Sequence, residues 1–386
     1  MNIVMLVLNN ITYDARVHKQ AVSLSRAGYS VTVIGLLDDA SPSREEKNGY
    51  SILRLKIRSF KGSSDTLTQF FRYLEFNLLA VMTILSLHPE VCHAHALQAL
   101  PACWLAAAIS RCKLIYDSHE FEQGQDFSAG SRIPRLMQLL WVWPEKLFIH
   151  SADAVLTVSE SLADALVRTY RIEKPLVIRN CPERSSLDSP VLQNNKHDVE
   201  IPPGWPVILY QGILSQGRGL SELIRSADYM SDLVLLFVGD GILFHELQQA
   251  AHSIMTNVRC IFTGKVAMEE LPSLTMQANI GVILTQNTCQ NHYYSLPNKL
   301  FEYLQAGLPV IGSNLPEIAH IIEENKVGVI VNPQNPQDIA TGIKQLLDNK
   351  VYSKAKQNTV RAAEIYNWEN ESGKLIKLYQ DIALKA

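Results

Sequence analysis

The stretch YYSLPNKLFEYLQAGLPVIGSNLPE, residues 293–317, contains the pattern from which the fold is predicted. A loop leads into an amphipathic segment that begins after Asn298, and Gly307 follows that segment as a typical helix stop signal. A short apolar run, Pro309–Ile311, comes next. A helix followed at once by an apolar, β-branched run is typical of parallel sheets whose strands alternate with helices.

The same alternation extends along the whole chain of 386 residues. Several runs are apolar throughout, which is typical of parallel strands covered by helices on both faces. The strands predicted in the first half are Ile3–Leu8, Ser30–Leu36, Ile52–Ile57, Val91–His95, Lys113–Asp117, Ala154–Val158 and Leu176–Ile178. Those predicted in the second half are Val207–Tyr210, Leu233–Val238, Val258–Phe262, Ile280–Leu284, Pro309–Ile311 and Val329–Val331. The sequence predicts an α/β protein with two Rossmann-like, doubly wound parallel sheets.

A change of composition separates the two series of strands. Residues 183–205 are rich in Pro, Ser, Asn and charge without periodicity, so we predict a linker there. We predict an N-terminal domain over 1–182, a C-terminal domain over 206–365, and a final helix over 366–386 that packs back on the first domain. Ligands bind at the carboxyl ends of strands in such sheets, so two facing domains would enclose a cleft.

Composition excludes several classes of protein. The 35 Lys+Arg and 38 Asp+Glu give a formal net charge of −3, which supplies no extended positive field for nucleic acid. A hydrophobic fraction of 47% and a charged fraction of 19% exclude a disordered chain. The six cysteines include no CxxC pair, and we expect them to be small buried hydrophobes in a reducing compartment.

The sequence also bears on location. The N-terminus, MNIVMLVLNN, lacks the basic start of a signal peptide, and no apolar run reaches the ~20 residues of a membrane span. We therefore expect a cytoplasmic protein. The segment RIPRLMQLLWVWPEKLFIH, residues 132–150, is apolar with basic flanks. It is either a helix packed in the core or a site of weak peripheral association with the inner face of the membrane.

Lys299 and Glu302 are the first candidates for chemistry. They lie three residues apart, on one face of the predicted helix. Backbone N–H groups at the helix start, together with Lys299, could hold phosphate oxygens. Glu302 could accept hydrogen bonds from two adjacent ribose hydroxyls. The alternative is a Lys–Glu pair on the surface of the helix, and the spacing alone does not decide between the two.

A glycine-rich turn, YQGILSQGRGL at residues 210–220, is the second candidate. Gly212 lets the backbone approach an anion, and the Arg218 guanidinium matches phosphate geometry. The alternative is a tight turn with a solvent-facing arginine. The turn has neither the GxGxxG nor the GxxxxGK[ST] pattern, so it indicates neither NAD nor a P-loop. VGDG at 238–241 and FTGKV at 262–266 follow two more predicted strands and are, by themselves, ordinary strand-to-helix turns.

Three histidines form the third candidate group. His93 and His95 alternate on one predicted strand, and His119, followed by Glu120, ends the next. No fourth ligand accompanies them, so we do not predict a zinc site. We expect His93 to be structural and His95 or His119 to face the cleft. The sequence contains neither a DxD carboxylate pair nor a GxSxG nucleophile elbow.

In their order and spacing these segments resemble glycosyltransferase family 4 (group 1), the retaining nucleotide-sugar transferases of the GT-B fold. The resemblance covers nearly the whole chain. It is carried by YDARVHKQAVSLSRAGYSVTVI at 13–34, IYDSHE at 115–120, ADAVLTVSESL at 152–162, the turns YQGILSQGRGL, VGDG and FTGKV, NKLFEYLQAGLPVI at 298–311, and Trp368 in YNWENES.

The resemblance implies roles for particular residues. Glu302 corresponds to the ribose ligand, Arg218 to a phosphate-binding cation, and His119 to a contact with the transferred sugar. The donor site that we predict comprises Gly212, Arg218, Gly239, Lys265, Val266, Leu271, Ser295, Leu296, Pro297, Asn298, Lys299 and Glu302. The residues predicted to act in catalysis are His119, Arg218 and Lys299, and those predicted to contact the sugar or acceptor are Asn10, His95, Glu120 and Tyr294.

Two positions depart from the family's pattern. Members often have a sugar-binding glutamate where this chain has Tyr294, and an arginine where it has Ile213. We expect Lys299 to replace the missing cation, and backbone N–H groups near Leu296 and Asn298 to meet the sugar.

The expected activity is that of a retaining, metal-independent hexosyltransferase, a monomer or weak dimer. It would move a hexose from a UDP-sugar, with UDP-glucose the first guess, to a saccharide or lipid-linked acceptor in polysaccharide or glycoconjugate biosynthesis. Two alternatives are open. A UDP-sugar 2-epimerase on the same fold would need cleft carboxylates as acid and base. A non-catalytic, two-lobed sugar-binding protein is usually periplasmic, and the absence of a signal peptide disfavours it.

Overall fold

The chain forms two α/β units, each built on one mostly parallel sheet. The computed structural model describes residues 1–58, 66–124, 143–184 and 200–384. The first unit comprises Met1–Asn180 together with Glu371–Ala386, and the second comprises Cys181–Asn370. Most of the predicted linker, 185–199, and the greater part of the apolar segment that we considered for membrane association, 132–142, lie outside the described residues.

The first unit contains an eight-stranded sheet. Its strands are β1 (Asn2–Leu6), β2 (Ser30–Leu36), β3 (Arg44–Lys47), β4 (Tyr50–Leu55), β5 (Val91–His95), β6 (Lys113–Ser118), β7 (Ala154–Thr157) and β8 (Leu176–Val177). They are ordered β3-β4-β2-β1-β5-β6-β7-β8. The helices are α1 (Ala15–Arg26), α2 (Thr66–Ser86), α3 (Leu100–Ser110), α4 (143–148) and α5 (Glu160–Tyr170).

The ends of α1 follow from its sequence. The Asp14 carboxylate accepts a hydrogen bond from the Val17 N–H at 3.1 Å and so caps the helix start. Gly28, just beyond the last turn, has a φ of +90°, and its N–H donates to the Ser25 carbonyl at 2.9 Å. A left-handed residue at this position is typically glycine, because a Cβ would be strained there.

One strand of this sheet escaped prediction. Strand β3, with sequence REEK, pairs antiparallel with β4 at the edge of the sheet. Three of its four residues are exposed, so it lacks the apolar signal from which the other strands were predicted. Charged residues on an edge strand also hinder pairing with another chain.

The second unit contains a six-stranded, entirely parallel sheet in the order β11-β10-β9-β12-β13-β14. Its strands are β9 (Val207–Gln211), β10 (Leu233–Val238), β11 (Val258–Gly264), β12 (Ile280–Ile283), β13 (Val310–Ser313) and β14 (Gly328–Val331). The helices are α6 (Leu220–Ser226), α7 (Phe244–His252), α8 (Leu271–Met276), α9 (Gln290–Tyr293), α10 (Asn298–Gln305), α11 (Pro316–Asn325), α12 (Pro336–Leu347), α13 (Asn349–Ile365) and α14 (Trp368–Leu384). The last helix continues into the first unit at Glu371.

Helix α10 packs one face tightly against this sheet. Leu300, Phe301, Tyr303 and Leu304 are all buried. Gly307 has a φ of +72° and donates its N–H to the Leu304 carbonyl at 3.0 Å, as expected of the residue after a helix end. The buried face fixes the helix start, where Lys299 and Glu302 lie, relative to the strand ends.

The described residues contain no helix that is both long enough and apolar enough to cross a lipid bilayer.

Close packing between β12 and α10 can be tested at Gly281. A Cβ added there would collide with the Tyr303 ring. We expect Gly281→Ala to destabilise the protein by about 1–3 kcal/mol, since overpacking forces neighbouring groups to shift. Chemical denaturation measures the difference. The matched control is Gly373→Ala in α14, where an added Cβ meets nothing within 4 Å. An equal loss in both variants would contradict the packing assignment.

Candidate functional site

Loops that follow β9, β10 and β11 converge at one edge of the second sheet. The Gly212 N–H donates to the Val238 carbonyl at 2.9 Å, and the Gly239 N–H donates to the Gly264 carbonyl at 3.0 Å. Gly239 has a φ of +136°, and a Cβ there would collide with the Gly212 carbonyl oxygen. The glycines therefore allow three strand ends to meet closely, at the edge where parallel sheets bind ligands.

Lys299 places its ammonium at this edge. Its Nζ lies 3.8 Å from the centroid of the Tyr210 ring, and a Cβ on Gly212 would lie 2.9 Å from that Nζ. Burial first and the positive charge of Arg218 second lower the pKa of Lys299 to about 7, although Glu302 acts in the opposite direction. Two basic, half-buried side chains thus influence each other at this edge, an arrangement that favours the binding of an anion.

Glu302 is held from the strand side. The Gln211 amide N–H donates to Glu302 Oε2 in a short hydrogen bond. The Thr275 hydroxyl lies 2.8 Å from Gln211 Oε1 and also 2.8 Å from the Leu271 carbonyl, so its proton is shared between two acceptors and supports this orientation of the amide. Lys299 and Glu302 therefore contact Tyr210 and Gln211, both at the end of β9, and these contacts disfavour the alternative of a pair on the helix surface.

The sequence reasoning missed Gln211 and Thr275. One signal was available for Gln211, because it is a polar residue that directly follows an apolar run, at the end of a predicted strand. The position of Thr275 in α8 carries no such signal. Buried polar side chains in proteins are almost always hydrogen-bonded. Here the Gln211 amide bonds to the Thr275 hydroxyl through its oxygen and to the Glu302 carboxylate through its nitrogen.

The other predicted donor residues divide by exposure. The side chains of Val266, Leu271 and Leu296 pack in or against the core, which leaves their backbone groups for any ligand contact. Lys265 and Asn298 are exposed.

Three predicted site residues directly precede α10, and Ile213, one of the two positions that depart from the family's pattern, lies on the glycine turn. The Ser295 hydroxyl donates to the His292 carbonyl at 2.8 Å. Pro297 directly precedes the helix. Tyr294 is half-buried and packs edge-on against Tyr293, with ring centroids 5.1 Å apart. Ile213, on the glycine turn, is 69% exposed, so its apolar side chain fills no pocket in this unit.

A buried ion pair organises the histidines of the first unit. Arg16 donates from Nε and Nη2 to the two oxygens of Asp117 at 2.9 and 2.7 Å, and from Nη1 to the Ile178 carbonyl at 2.7 Å. The Gln20 amide also donates to Asp117, at 2.8 Å. Burial by itself raises the pKa of Asp117, but Arg16 first and then His119 hold it well below the usual range. Asp117 is therefore a carboxylate at neutral pH.

This carboxylate contacts two of the predicted site histidines. His119 Nε2 lies 3.4 Å and His95 Nδ1 lies 3.5 Å from Asp117 Oδ2. The side chain of His119 is 23% exposed, whereas His95 is completely buried. Glu120, the next residue, is exposed, and Asp117 contacts the His119 ring.

The predicted contact between His95 and a sugar needs correction. The His95 ring is stacked on His93 at a centroid distance of 4.2 Å and has no exposed surface. Burial lowers the pKa of both rings, so both are neutral. His93 is structural, as predicted, since its Nδ1 lies 2.8 Å from the Tyr379 hydroxyl. His95 supports His119 from behind.

Three of these buried residues lie close enough together to be considered as ligands of a metal ion. His93, His95 and Asp117 bring one potential ligand atom each within 4.8 Å of one another. Both Asp117 oxygens, however, already accept hydrogen bonds from the Arg16 guanidinium. A fixed cation in that position opposes a second one, so the donor set fits an ion pair better than a metal centre.

Asn10 and Glu120 complete the predicted contacts of this unit. Asn10 lies in the loop after β1. Its side-chain amide donates to Asp38 at 2.6 Å, and its backbone carbonyl accepts a hydrogen bond from Arg54 Nε at 3.1 Å. The Glu120 carbonyl accepts from the Ser118 hydroxyl at 3.2 Å. Asn10, His95 and Glu120 thus lie at the carboxyl ends of β1, β5 and β6, three adjacent strands.

Comparison with known families decides the identity of the chain. Residues 13–181 match the family described as "Glycosyl transferase 4-like domain", and residues 193–365 match "Glycosyl transferases group 1". Together the two matches span most of the chain. The protein is a group 1 glycosyltransferase.

Curated relatives of this glycosyltransferase are distant and longer than the stretch they share with it. A glycosyltransferase of Methanocaldococcus jannaschii is 24% identical over 247 residues, covering 61% of this chain and 62% of that protein. The sulfoquinovosyl transferase of Arabidopsis thaliana is 21% identical over 243 residues, covering 61% of this chain and 46% of the plant protein. The alpha-D-kanosaminyltransferase of Streptomyces kanamyceticus is 20% identical over 252 residues, covering 63% of this chain and 64% of that protein.

Solved structures agree on the GT-B fold of this glycosyltransferase. The sucrose-phosphate synthase of Thermosynechococcus elongatus superposes with a TM-score of 0.80 at 17% identity, covering 100% of both chains. Anabaena HepE, solved in complex with UDP-glucose, superposes with a TM-score of 0.70 at 17% identity, covering 99% of this chain and 100% of that one. The predicted fold of two Rossmann-like domains is confirmed.

The Arg16–Asp117 ion pair of this glycosyltransferase gives a stability prediction with a defined pH dependence. Arg16→Gln should cost about 3–5 kcal/mol at neutral pH, because it leaves a buried carboxylate without its cation. The folded-state pKa of Asp117 is depressed, so the pair contributes stability above the unfolded pKa of ~3.9 and loses it as pH falls further. Denaturation curves at pH 7 and pH 3 should therefore differ more between wild type and variant at pH 7.

The control is Lys113→Gln, which removes a lysine whose Nζ lies 3.0 Å from Asp153 Oδ1 in the same unit, with both side chains about one-third exposed. A partly exposed pair of this kind should cost roughly 1 kcal/mol or less. If Arg16→Gln cost no more than Lys113→Gln, the Asp117 pair would not be the organising contact that we describe.

Proposed function

We propose that this glycosyltransferase is a retaining, metal-independent hexosyltransferase that uses a UDP-hexose, with UDP-glucose the first choice. Its acceptor would be a saccharide or a lipid-linked saccharide in polysaccharide or glycoconjugate assembly. The complex of HepE with UDP-glucose supports the choice of donor. The proposed donor site lies in the second unit, at the carboxyl ends of β9, β10 and β11 and the start of α10.

The cation pair of Lys299 and Arg218 is the observation that carries this proposal. The side chain of Lys299 reaches the glycine turn after β9, and the positive charge of Arg218 helps to lower the pKa of Lys299. A diphosphate bound beside them would meet two positive groups and the N–H groups at the start of α10. Glu302, held by Gln211, would accept the ribose hydroxyls with its remaining lone pairs.

The chemistry then needs no metal. The bond from the sugar C1 to the diphosphate oxygen breaks, and positive charge develops on the sugar ring while negative charge grows on the leaving oxygen. Lys299 and Arg218 would stabilise that oxygen, because preorganised cations in a poorly hydrated site act on charge as it develops. The acceptor oxygen attacks C1 on the face that the diphosphate leaves, and its proton passes to the departing phosphate.

His119 is proposed to contact the transferred sugar, an assignment that rests on the family resemblance. Asp117 would act through it as a positioning residue. The charge of Asp117, 3.4 Å from His119 Nε2, would hold that edge of the ring by attraction.

The proposal is tested in two steps. A thermal-shift screen of nucleotides and nucleotide sugars should raise Tm most with UDP and one UDP-hexose, because ligands stabilise the state that binds them. Incubation with that UDP-hexose alone should then release UDP and free sugar slowly, at the same rate with and without EDTA. A retaining transferase releases the sugar first as the anomer present in the donor, which NMR detects.

Other outcomes identify the alternatives. Conversion of the UDP-hexose into its 2-epimer would indicate an epimerase. Tight binding without any turnover would indicate a sugar-binding protein. Loss of activity in EDTA, restored by Mg²⁺ or Mn²⁺, would contradict the role given to the cation pair.

Glu302→Ala should weaken UDP binding by roughly 2–4 kcal/mol, which is about 30- to 900-fold in Kd, because two ribose hydrogen bonds to a charged acceptor are lost. Isothermal titration calorimetry measures this directly. Thr341→Ala serves as the control, since the Thr341 hydroxyl donates to the Gln337 carbonyl in α12 and is exposed. An affinity within twofold of wild type, in a folded Glu302→Ala protein, would contradict the assignment.

Arg218→Ala and Lys299→Ala should each lower kcat/KM by roughly 10²–10³, by analogy with the loss of one oxyanion donor. The double variant should lose less than the product of the two, since both cations act on one diphosphate. Steady-state kinetics at saturating acceptor, or of donor hydrolysis, provides the comparison.

The pH dependence of kcat/KM is a readout that a purely structural role of Lys299 would not change. With a Lys299 pKa of about 7, wild-type kcat/KM should fall as pH rises above 7 and the ammonium loses its proton. Lys299→Arg keeps its charge, so its lower kcat/KM should stay flat over that range. A near-normal kcat/KM for Lys299→Ala would contradict the assignment of Lys299 as the second cation that stabilises the leaving diphosphate.

A further inference from the structure

Two cysteines of the first unit lie in contact. Cys92 is the second residue of β5, and Cys112 directly precedes β6. The two strands are parallel neighbours in which Cys92 pairs with Leu114, so Cys112 lies one diagonal step away. The two Sγ atoms are 3.4 Å apart, and both are free thiols in the structure.

We propose that Cys92 and Cys112 form an oxidative modification site, at which a peroxide or a small disulfide converts the two thiols into a reversible intramolecular disulfide. A disulfide bond is about 2.0 Å long, so the sulfurs need to approach by only about 1.4 Å. Adjacent strands already hold the two residues side by side, and side-chain rotation can supply a movement of this size without any change of strand register.

The two thiols differ in a way that gives each a separate part in the reaction. Cys112 is half-buried, and the hydrogen bond from the Cys92 S–H is the main cause that lowers the pKa of Cys112 to about 6. The Ser110 hydroxyl oxygen lies 3.5 Å from the same sulfur. Cys92 is completely buried, and its pKa is raised. Cys112 is thus the accessible thiolate that attacks, and Cys92 the protected thiol that resolves.

With hydrogen peroxide, the Cys112 thiolate attacks one peroxide oxygen and becomes a sulfenic acid, while the other oxygen leaves as hydroxide and takes up a proton to form water. The Cys92 sulfur then displaces the sulfenic oxygen, forms the S–S bond and releases a second water. Two thiols are oxidised, and one peroxide is reduced to two waters. With a small disulfide, Cys112 attacks one sulfur, forms a mixed disulfide and releases one small thiol; attack by Cys92 on the Cys112 sulfur then releases the second.

The crosslink would form at the end of β5 and β6 remote from the candidate site. Both strands run from the cysteines towards His95 and Asp117 at their carboxyl ends, and His119 follows β6. Three to five residues of strand separate the two ends, which is roughly 10–15 Å. We therefore expect the disulfide to leave donor hydrolysis within about twofold, so that activity is a control and not the readout.

The experiment treats the full-length protein with hydrogen peroxide or with glutathione disulfide and then alkylates the remaining thiols. We expect a crosslinked peptide that joins Cys92 to Cys112, a loss of two of the six thiols per chain, and full reversal by dithiothreitol. The matched control is Cys103→Ser, since Cys103 is equally buried in the neighbouring helix α3 and should not affect the crosslink.

Two further variants keep the proposal testable. Cys92→Ala should stop the reaction with glutathione disulfide at a mixed disulfide on Cys112, and should shift the pH midpoint of Cys112 alkylation above its expected value near 6. Cys112→Ala, at a half-buried position, should leave Cys92 unreactive. The proposal would be overturned if the folded protein formed no bond between Cys92 and Cys112, if Cys112 oxidised to the sulfinic acid while Cys92 stayed free, or if Cys103 replaced either partner.

Discussion

Burial of parallel strands on both faces is the constraint on which the rest of this structure depends. The backbone of such a strand is satisfied by its neighbours, so its side chains must be apolar, and β9 and β10 are buried at every position. Polar groups are then confined to the strand ends, where the chain turns towards a helix. In the second unit the side chain that ends β9, Gln211, is the first polar one of that strand to be reached. Chemistry is therefore concentrated at one edge of the sheet.

The first unit departs from this rule and compensates for the departure. Strands β5 and β6 carry His93, His95 and Asp117 into complete burial. An isolated carboxylate there would be costly, but the Arg16 guanidinium and the Gln20 amide from α1 donate three hydrogen bonds to Asp117, and Arg16 donates a fourth to the Ile178 carbonyl. The histidines stay neutral, which adds no further charge. Helix α1 is thereby tied to the strand that leads to His119, so the position of a candidate site residue depends on the docking of a helix distant in sequence.

The sequence was informative wherever a signal is local. Every predicted strand exists, as does the predicted helix end at Gly307, and the Asp14 cap and the helix end at Gly28 follow from signals of the same local kind, because periodicity, capping and positive φ act within a few residues. Strand β3 was missed because an exposed edge has no apolar pattern. The glycine turns and α10 could be predicted to meet, since parallel topology brings strand ends together.

Contacts made only by tertiary packing were out of reach. Nothing in the sequence near Gln211 indicates that Thr275 will orient its amide towards Glu302. Likewise Arg16 lies 101 residues from the carboxylate that it neutralises. The prediction that His95 would meet a ligand failed for the same reason, because alternation on a strand gives the face of a side chain but not what covers it. The two cysteines were treated as separate hydrophobes, although register alone brings them into contact.

The electrostatics of the second unit can be understood from the same confinement. A lysine that is enclosed near Tyr210 and faces Arg218 loses hydration and meets a like charge, and both effects favour its neutral form. Such a site is unfavourable for the free protein, and it becomes favourable when two negative charges enter. Under the proposed function, the gain would be larger for a group whose charge is still growing than for one whose charge is fixed, so the benefit of the cations would fall mainly on the transition state. The packing of α10 against the sheet, set by residues such as Leu300 and Tyr303, places Lys299 beside Tyr210 and would thereby suit it to a leaving diphosphate.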